Sequence, residues 1–194
     1  FILQGGVFLN TAVTSKTAIL NVCRELIQTQ GPDAINIRAV AKACNISTGS
    51  IYNYFNSKYD LIAATVESVW YDIFHFPENK EMFDTLISCV KWTFDSLRKG
   101  DEKYPGFFTM HSVSFIGEEK SDGQQRMAQS WIHIKEVLST ALANDPNVRP
   151  DAFDDSFTQR DFTEILFSLI ISALLQHNYD CSGILGLIRR VIYL

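Results

Sequence analysis

Two short apolar stripes stand close together in "INIRAVAKACNISTGSIYNYFNSK". Ile37, Val40, Ala41 and Cys44 form the first, and Ile51 and Phe55 at i, i+4 form the second. Both follow the helical period. A longer stripe precedes them, with Ala18, Ile19, Val22, Cys23, Leu26 and Ile27 on one face and Gly31-Pro32 as its stop. Two short helices joined by about three residues and braced by a longer one make a helix-turn-helix. The punctuation agrees. Asn36 suits the start of the second helix, and Asn45 tolerates the left-handed backbone that a helix end needs. Ser47 can cap the third helix, and Ser57-x-x-Asp60 resembles a capping box that opens a fourth.

The rest of the chain is also helical in pattern. The fourth helix presents Leu61, Ile62, Val66, Val69 and Ile73. Helical spacing resumes over about 80–99, 105–116, 124–143, 157–177 and 182–194, with "NDPNVRPDAFDD" as a loop. Strand alternation and internal repeats are lacking, so the expected class is all-α. Residues 1–13 read as a loose arm or a cloning remnant. Residues 14–60 form the helix-turn-helix unit, and residues 61–194 a larger helical body.

Charge narrows the function. Lys16, Arg24, Arg38, Lys42 and Lys58 face Glu25, Asp33 and Asp60 in the first 60 residues, a mildly basic third on a chain whose net charge is −5. That is a weak pointer to a polyanion, and random scatter would explain it equally well. Cys23, Cys44, Cys89 and Cys181 lie far apart; the first three have apolar neighbours and read as core residues of a reduced, cytoplasmic protein. His75, His111, His133 and His177 show no ligand spacing, so no metal is expected. The run Ile165 to Leu175 falls short of the ~20 residues that span a bilayer.

The third helix carries the chemistry. At 100° per residue Ile51 and Phe55 point together, while Gly49, Tyr52 and Asn53 point away, with Ser50 at the flank. Small residues let a helix start lie close to DNA. An Asn amide can pair with a base edge, and a Tyr hydroxyl can bond phosphate. A surface helix with two half-buried tyrosines is the plainer alternative.

The stretch "IRAVAKACNISTGSIYNYFNSKYDLIAATV" resembles the DNA-binding segment of the tetracycline-repressor (TetR) family of bacterial regulators. Val40, Ala41, Ala43, Ile46, Ser47, Gly49, Ile51, Tyr52, Tyr54, Phe55, Lys58 and Leu61 fall in register with its pattern, and Asn45 replaces the usual glycine. The resemblance covers about residues 14–66. It implies double-stranded DNA as partner, a palindromic operator and a homodimer. Thr48, Gly49, Ser50, Tyr52 and Asn53 would face bases and nearby phosphates. Tyr54 and Lys58 would hold phosphates, and Arg38 would reach a base or the backbone. It further implies an unknown small-molecule effector in the body, with no other cofactor, and repression as the commoner action. Activation and control by a protein partner stay open.

The body supports two of these expectations from its own residues. "FTEILFSLIISALL" and "ILGLIRRVIYL" are apolar on nearly every face, which suits helices buried on both sides. Phe167, Ile171, Leu174, Leu175, Ile184 and Ile188 are the candidates for a dimer interface, with a monomer core as the alternative. Trp92, Phe108, His111, Phe115 and Trp131 are candidates for an effector pocket, with His133 as a further polar anchor, although an aromatic core would look the same. No nucleophile elbow, phosphate-cradling loop or metal motif is present, so an enzyme is not expected.

Overall fold

A computed structural model describes residues 15–74, 83–108 and 122–193, with backbone alone over 122–130. The described residues form eight α-helices: α1 Lys16–Gln30, α2 Ile37–Ala43, α3 Thr48–Tyr52, α4 Lys58–Ile73, α5 Leu86–Lys103, α6 Asp122–Ala143, α7 Gln159–Leu175 and α8 Ser182–Val191. A 3-10 turn, Pro32–Ala34, follows α1. The all-α class is as expected from the periodicity, and an N-terminal helix-turn-helix heads the fold.

Local chemistry sets most helix ends. Ser15 Oγ accepts from Ala18 N at 3.1 Å, and Asn36 Oδ1 accepts from Ala39 N at 2.9 Å. Each satisfies an N–H that has no partner inside its helix. Gly31 stops α1 at φ +80°, a conformation open to glycine at little cost. Ser57 Oγ caps α4 through Asp60 N, at 3.0 Å. Asp60 reaches back to Asn56 N at 2.9 Å, one residue before the position a standard capping box uses. Thr158 and Asp161 make the full reciprocal box at the start of α7.

Several boundaries differ from the periodicity. α5 starts at Leu86, not near residue 80, because Thr85 adopts an extended cap conformation and exchanges bonds with Ser88. It runs on to Lys103. α3 stops at Tyr52, so Phe55 lies beyond it, although Phe55 N still bonds Ile51 O at 3.1 Å. The apolar i, i+4 pair survives because the last turn keeps that bond. The helix expected over 105–116 lies mostly outside the described residues, as does the arm 1–13.

α4 is the central element. It packs on α1 at one side and on α5 and α6 at the other. Leu61, Val66, Val69 and Trp70 are all buried, and a single apolar cluster runs from Ile19 in α1 to Ile192 after α8. The boundary expected at 60/61 therefore falls within the first turn of a helix that both halves share. At Gly100, α5 crosses α4 so closely that a Cβ would come within 2.9 Å of Ile73 Cγ1.

The loop after α6 does more than connect. Asp145, 6% exposed, accepts bonds from Leu86 N at 2.7 Å, from Asn147 N at 2.9 Å and from the Tyr193 hydroxyl. It thereby caps α5 and anchors the end of α8. Burial disfavours its charge, but those donors outweigh burial and hold the carboxyl below its ordinary value.

Cys23, Cys44 and Cys89 are buried, as expected, and all four cysteines are unpaired thiols. Burial pushes Cys23 up to about 11 and Cys89 up to about 12, so these thiols are poor nucleophiles. No described helix is long and apolar enough to cross a membrane.

Candidate nucleic-acid interface

The link between α2 and α3 is built by one left-handed residue. Asn45 sits at φ +55°. Its N–H bonds Lys42 O at 3.1 Å, and the next N–H, of Ile46, bonds Ala41 O at 3.0 Å. These two bonds form a Schellman end, which tolerates Asn where Gly is usual. The chain turns, Ser47 follows in extended conformation, and its Oγ accepts from Ser50 N at 3.0 Å to start α3. Val40, Ala41, Cys44, Ile51 and Phe55 are all buried beneath the motif.

What α3 leaves outside is polar and aromatic. Thr48, Gly49 and Asn53 are exposed, and Tyr52 keeps 53% of its surface. Arg38 in α2 and Lys58 at the start of α4 are exposed as well. Two of the expected residues differ in kind. Ser50 is half-buried, and its hydroxyl lies 2.9 Å from Ser47 Oγ, so it serves the cap. Tyr54 is half-buried with its ring against the core.

Gly49 is informative. A Cβ there would meet nothing nearer than Ser47 Oγ at 3.6 Å, which is ordinary contact. The protein itself therefore has no need of glycine at this position. Alanine would favour the helix by about 1 kcal/mol, so the missing side chain suits close approach of something from outside.

Lys16 completes the motif. Its ammonium lies 5.3 Å from the centroid of the Phe55 ring, so α1 grips the residue that closes the recognition segment. Tyr59, beside Lys58, is 80% exposed. It follows the matched lysine and carries no pattern of its own, so nothing in the order of residues singles it out.

Residues 19–65 match the family described as bacterial regulatory proteins, tetR family. That stretch is therefore a DNA-binding segment of the tetR-family kind. The chain is also 38% identical over 55 residues to the HTH-type transcriptional regulator UidR of Escherichia coli K12. That match covers 28% of each chain, so it speaks for the motif and not for the body. Solved structures extend the likeness of fold. BioQ, crystallised with its double-stranded DNA operator, superimposes with a TM-score of 0.56 at 12% identity over 90% of both chains. SCO7222, a TetR from Streptomyces coelicolor, gives 0.57 at 17% identity over 91% of this chain and 77% of its own.

The remaining candidate residues divide. Phe108 is buried, and Trp92 and Trp131 are half-buried, in one aromatic cluster. His111 and Phe115 lie outside the described residues. His133 is exposed, 3.7 Å from Glu136, and does not face the interior. Trp70 in α4 is the centre of the cluster and was missed, although Val66, Trp70 and Phe74 step by four along one helix row. In the outer helices, Leu174 and Ile188 are buried in the protomer's own core, which corrects the expectation that all six candidates face a partner. Phe167, Ile171 and Ile184 are half-buried and Leu175 is 48% exposed. Ile165, Leu169 and Leu187 are exposed beside them.

A second surface feature lies near Lys58. Ile27, Ile35, Ile62 and Val66 wall an open cleft of about 210 Å3 between α1, the 3-10 turn and α4.

Proposed function

We propose that the chain is a transcriptional regulator, a repressor, that binds a palindromic operator as a twofold dimer in the cytoplasm and releases it when a small molecule enters the helical body. The observation that carries the DNA reading is the outer face of α3. Its exposed Thr48, Gly49, Tyr52 and Asn53 have no packing role, and Gly49 in particular leaves room that the protein does not use. Arg38, Tyr54 and Lys58 would hold phosphates around it, with Lys58 at the N-terminus of α4 adding the pull of free amides.

The dimer reading rests on Ile165, Leu169, Leu175 and Leu187, large apolar side chains left exposed on the last two helices. Such exposed apolar faces commonly meet a partner. A twofold pair would present two α3 helices, and their half-sites would lie one helical turn of DNA apart, about 34–36 Å, or a multiple of it.

Contacts between the helices support coupling. Arg24 of α1 donates to Ser68 Oγ of α4, and Tyr104 and Lys103 at the end of α5 both bond Asp72 of α4. Movement in the body can therefore reach the helix that braces the motif. An effector releases DNA only by binding better to a dimer whose α3 helices are wrongly spaced. Control by a protein partner is the second reading, because the described body is filled by rings packed 4.9–5.8 Å from Trp70.

The test is selection of bound sequences from a random DNA pool by the purified chain. A twofold-symmetric enriched site is the expected outcome. Enrichment of nothing above the starting pool would remove the regulator reading.

A further inference from the structure

We propose that the indole N–H of Trp70 is the hydrogen-bond donor for the effector, and that this effector is an uncharged, mainly apolar molecule carrying a carbonyl oxygen. The proposal rests on the effector-responsive reading above and names the ligand chemistry of that site.

Trp70 is 3% exposed, and its Nε1 has no hydrogen-bond partner among the described residues. Buried polar groups are almost always paired, and this N–H is the only polar atom that Trp carries. Among the described residues two other buried side-chain atoms are unpaired, but each has a polar setting. Arg149 spends its Nη2 on Val191 O at 3.0 Å, and Tyr179 lies beside the carboxylate of Asp101. Trp70 meets four rings among the described residues. Phe74 stacks at 5.7 Å, Phe107 and Phe108 lie at 5.8 and 5.3 Å, and Trp131 meets it edge-on at 4.9 Å. A ring face is a weak acceptor for N–H, so a carbonyl oxygen would displace it.

The same surroundings set the ligand's charge. Each described ring that meets Trp70 is neutral. Two charged side chains linked to this cluster through Phe167 and Tyr104 are already engaged. Lys135 bonds Glu164 at 2.7 Å and covers the Phe167 ring at 4.8 Å. Asp72 is taken by Lys103 and Tyr104. Among the described residues a charged ligand would find no free opposite charge beside these rings, and an unpaired buried charge is strongly disfavoured. A ligand that parts these rings would meet apolar walls and one fixed donor, which selects a neutral molecule with one matching acceptor.

The site also has an outlet. Phe107 packs on Tyr104 at 6.2 Å, and Tyr104 bonds Asp72. A ligand that shifts Phe107 would disturb the joint between α4 and α5.

The three tryptophans of the chain, Trp70, Trp92 and Trp131, give three indole N–H signals in a 15N–1H spectrum. Trp70→Phe, checked for folding by its melting curve, assigns the Trp70 signal by its loss. Two pairs of nearly equal size serve as probes: acetophenone with ethylbenzene, and 2-acetylnaphthalene with 2-ethylnaphthalene. The expected result is that a ketone moves the Trp70 signal downfield and binds about tenfold more tightly than its hydrocarbon partner, the worth of one buried hydrogen bond. Trp70→Phe should abolish that difference while keeping hydrocarbon binding. Equal affinity within both pairs, an unmoved Trp70 signal, or no binding by any probe would overturn the proposal. DNA affinity is measured in parallel. Ketone binding with the shifted signal but no change in DNA affinity would support this assignment and count against effector release.

Discussion

The Tyr104 hydroxyl donates to Asp72 Oδ2 at 2.7 Å and so ties the end of α5 to the last turn of α4. Lys103 Nζ reaches the same oxygen at 2.6 Å. Burial disfavours the Asp72 charge, but the bonds from Lys103 and Tyr104 outweigh it and lower its pKa. Burial first, and then the bond to Asp72, push Tyr104 up to about 12. A depressed carboxyl stabilises the fold above its unfolded value, about 3.9, and that contribution is lost as pH falls through the folded value. A raised phenol stabilises below its unfolded value, about 10, and that contribution is lost as pH climbs toward about 12. Melting temperature should therefore drop below pH ~4 and again above pH ~10. Asp72→Asn should weaken both dependences relative to wild type. Unchanged acid and alkaline limbs in the variant would show that this joint is not what titrates.

Gly49→Ala separates folding from DNA binding. The change should raise stability by about 0.5–1 kcal/mol, since alanine suits a helix better than glycine, and no neighbour is crowded. DNA affinity should fall, because the added methyl meets the groove wall. Chemical denaturation and a binding titration read the two effects. A stabilised variant with undiminished affinity would mean that α3 does not lie close to the duplex at this residue.

Base and phosphate contacts should respond differently. Asn53→Ala should relax preference at one position per half-site and cost about 1–3 kcal/mol for a lost bidentate contact. Lys58→Ala should weaken all sequences alike, since phosphates carry no code. With Arg38, Lys42 and Lys58 as the exposed cations near the motif, and Lys16 held at Phe55, two protomers would neutralise roughly 4–6 phosphates. The slope of log K against log salt should then be about −4 to −5. A slope near −10 would show that other cations touch the DNA.

The outer helices offer a paired test. Leu175→Arg alters an exposed side chain and should leave the protomer folded but monomeric in light scattering. Leu174→Arg puts a charge among buried residues and should prevent folding, as an unpaired buried charge does. A dimer that survives Leu175→Arg and Leu169→Arg together would place the interface elsewhere.

The α4–α5 crossing predicts a rescue. Gly100→Val would drive methyl groups into Ile73 and should destabilise by about 1–3 kcal/mol, the usual range for overpacking. Adding Ile73→Ala should restore part of that loss. Failure of the second change to help would mean that the helices separate rather than clash.

How much of this was legible in the sequence depended on whether the determinant was local. Asn36, Asn45, Ser47 and Ser57 act on backbone groups within a few residues, so their roles could be read from order and residue type. The face of α3 followed from Ile51 and Phe55, whose spacing fixes what must point outward. Trp70 was not legible in the same way. Its neighbours Phe107, Phe108 and Trp131 come from later in the chain, and periodicity records which face is apolar but not what lies across from it. Leu174 and Leu175 make the same point. Both belong to an apolar run, and only the packing of α7 shows that the first turns inward and the second outward. Asp145 looked like an ordinary loop residue because its partners, Leu86 and Tyr193, are 59 and 48 positions away.

The sharing of α4 by the motif and the body bears on how such a protein can be cut and recombined. A fragment ending at residue 60 would keep the reading residues but lose Leu61, Val66 and Val69, which are buried in the cluster that α1 shares. It would have little reason to stay folded. A chimaera that grafts this DNA specificity onto another body should therefore be joined after Ile73, carrying all of α4 with it. The Arg24–Ser68 contact would then travel with the graft, while the Asp72 partners Lys103 and Tyr104 would have to be supplied by the new host. Whether such a hybrid still answers to its host's ligand would depend on those two residues more than on the length of the linker.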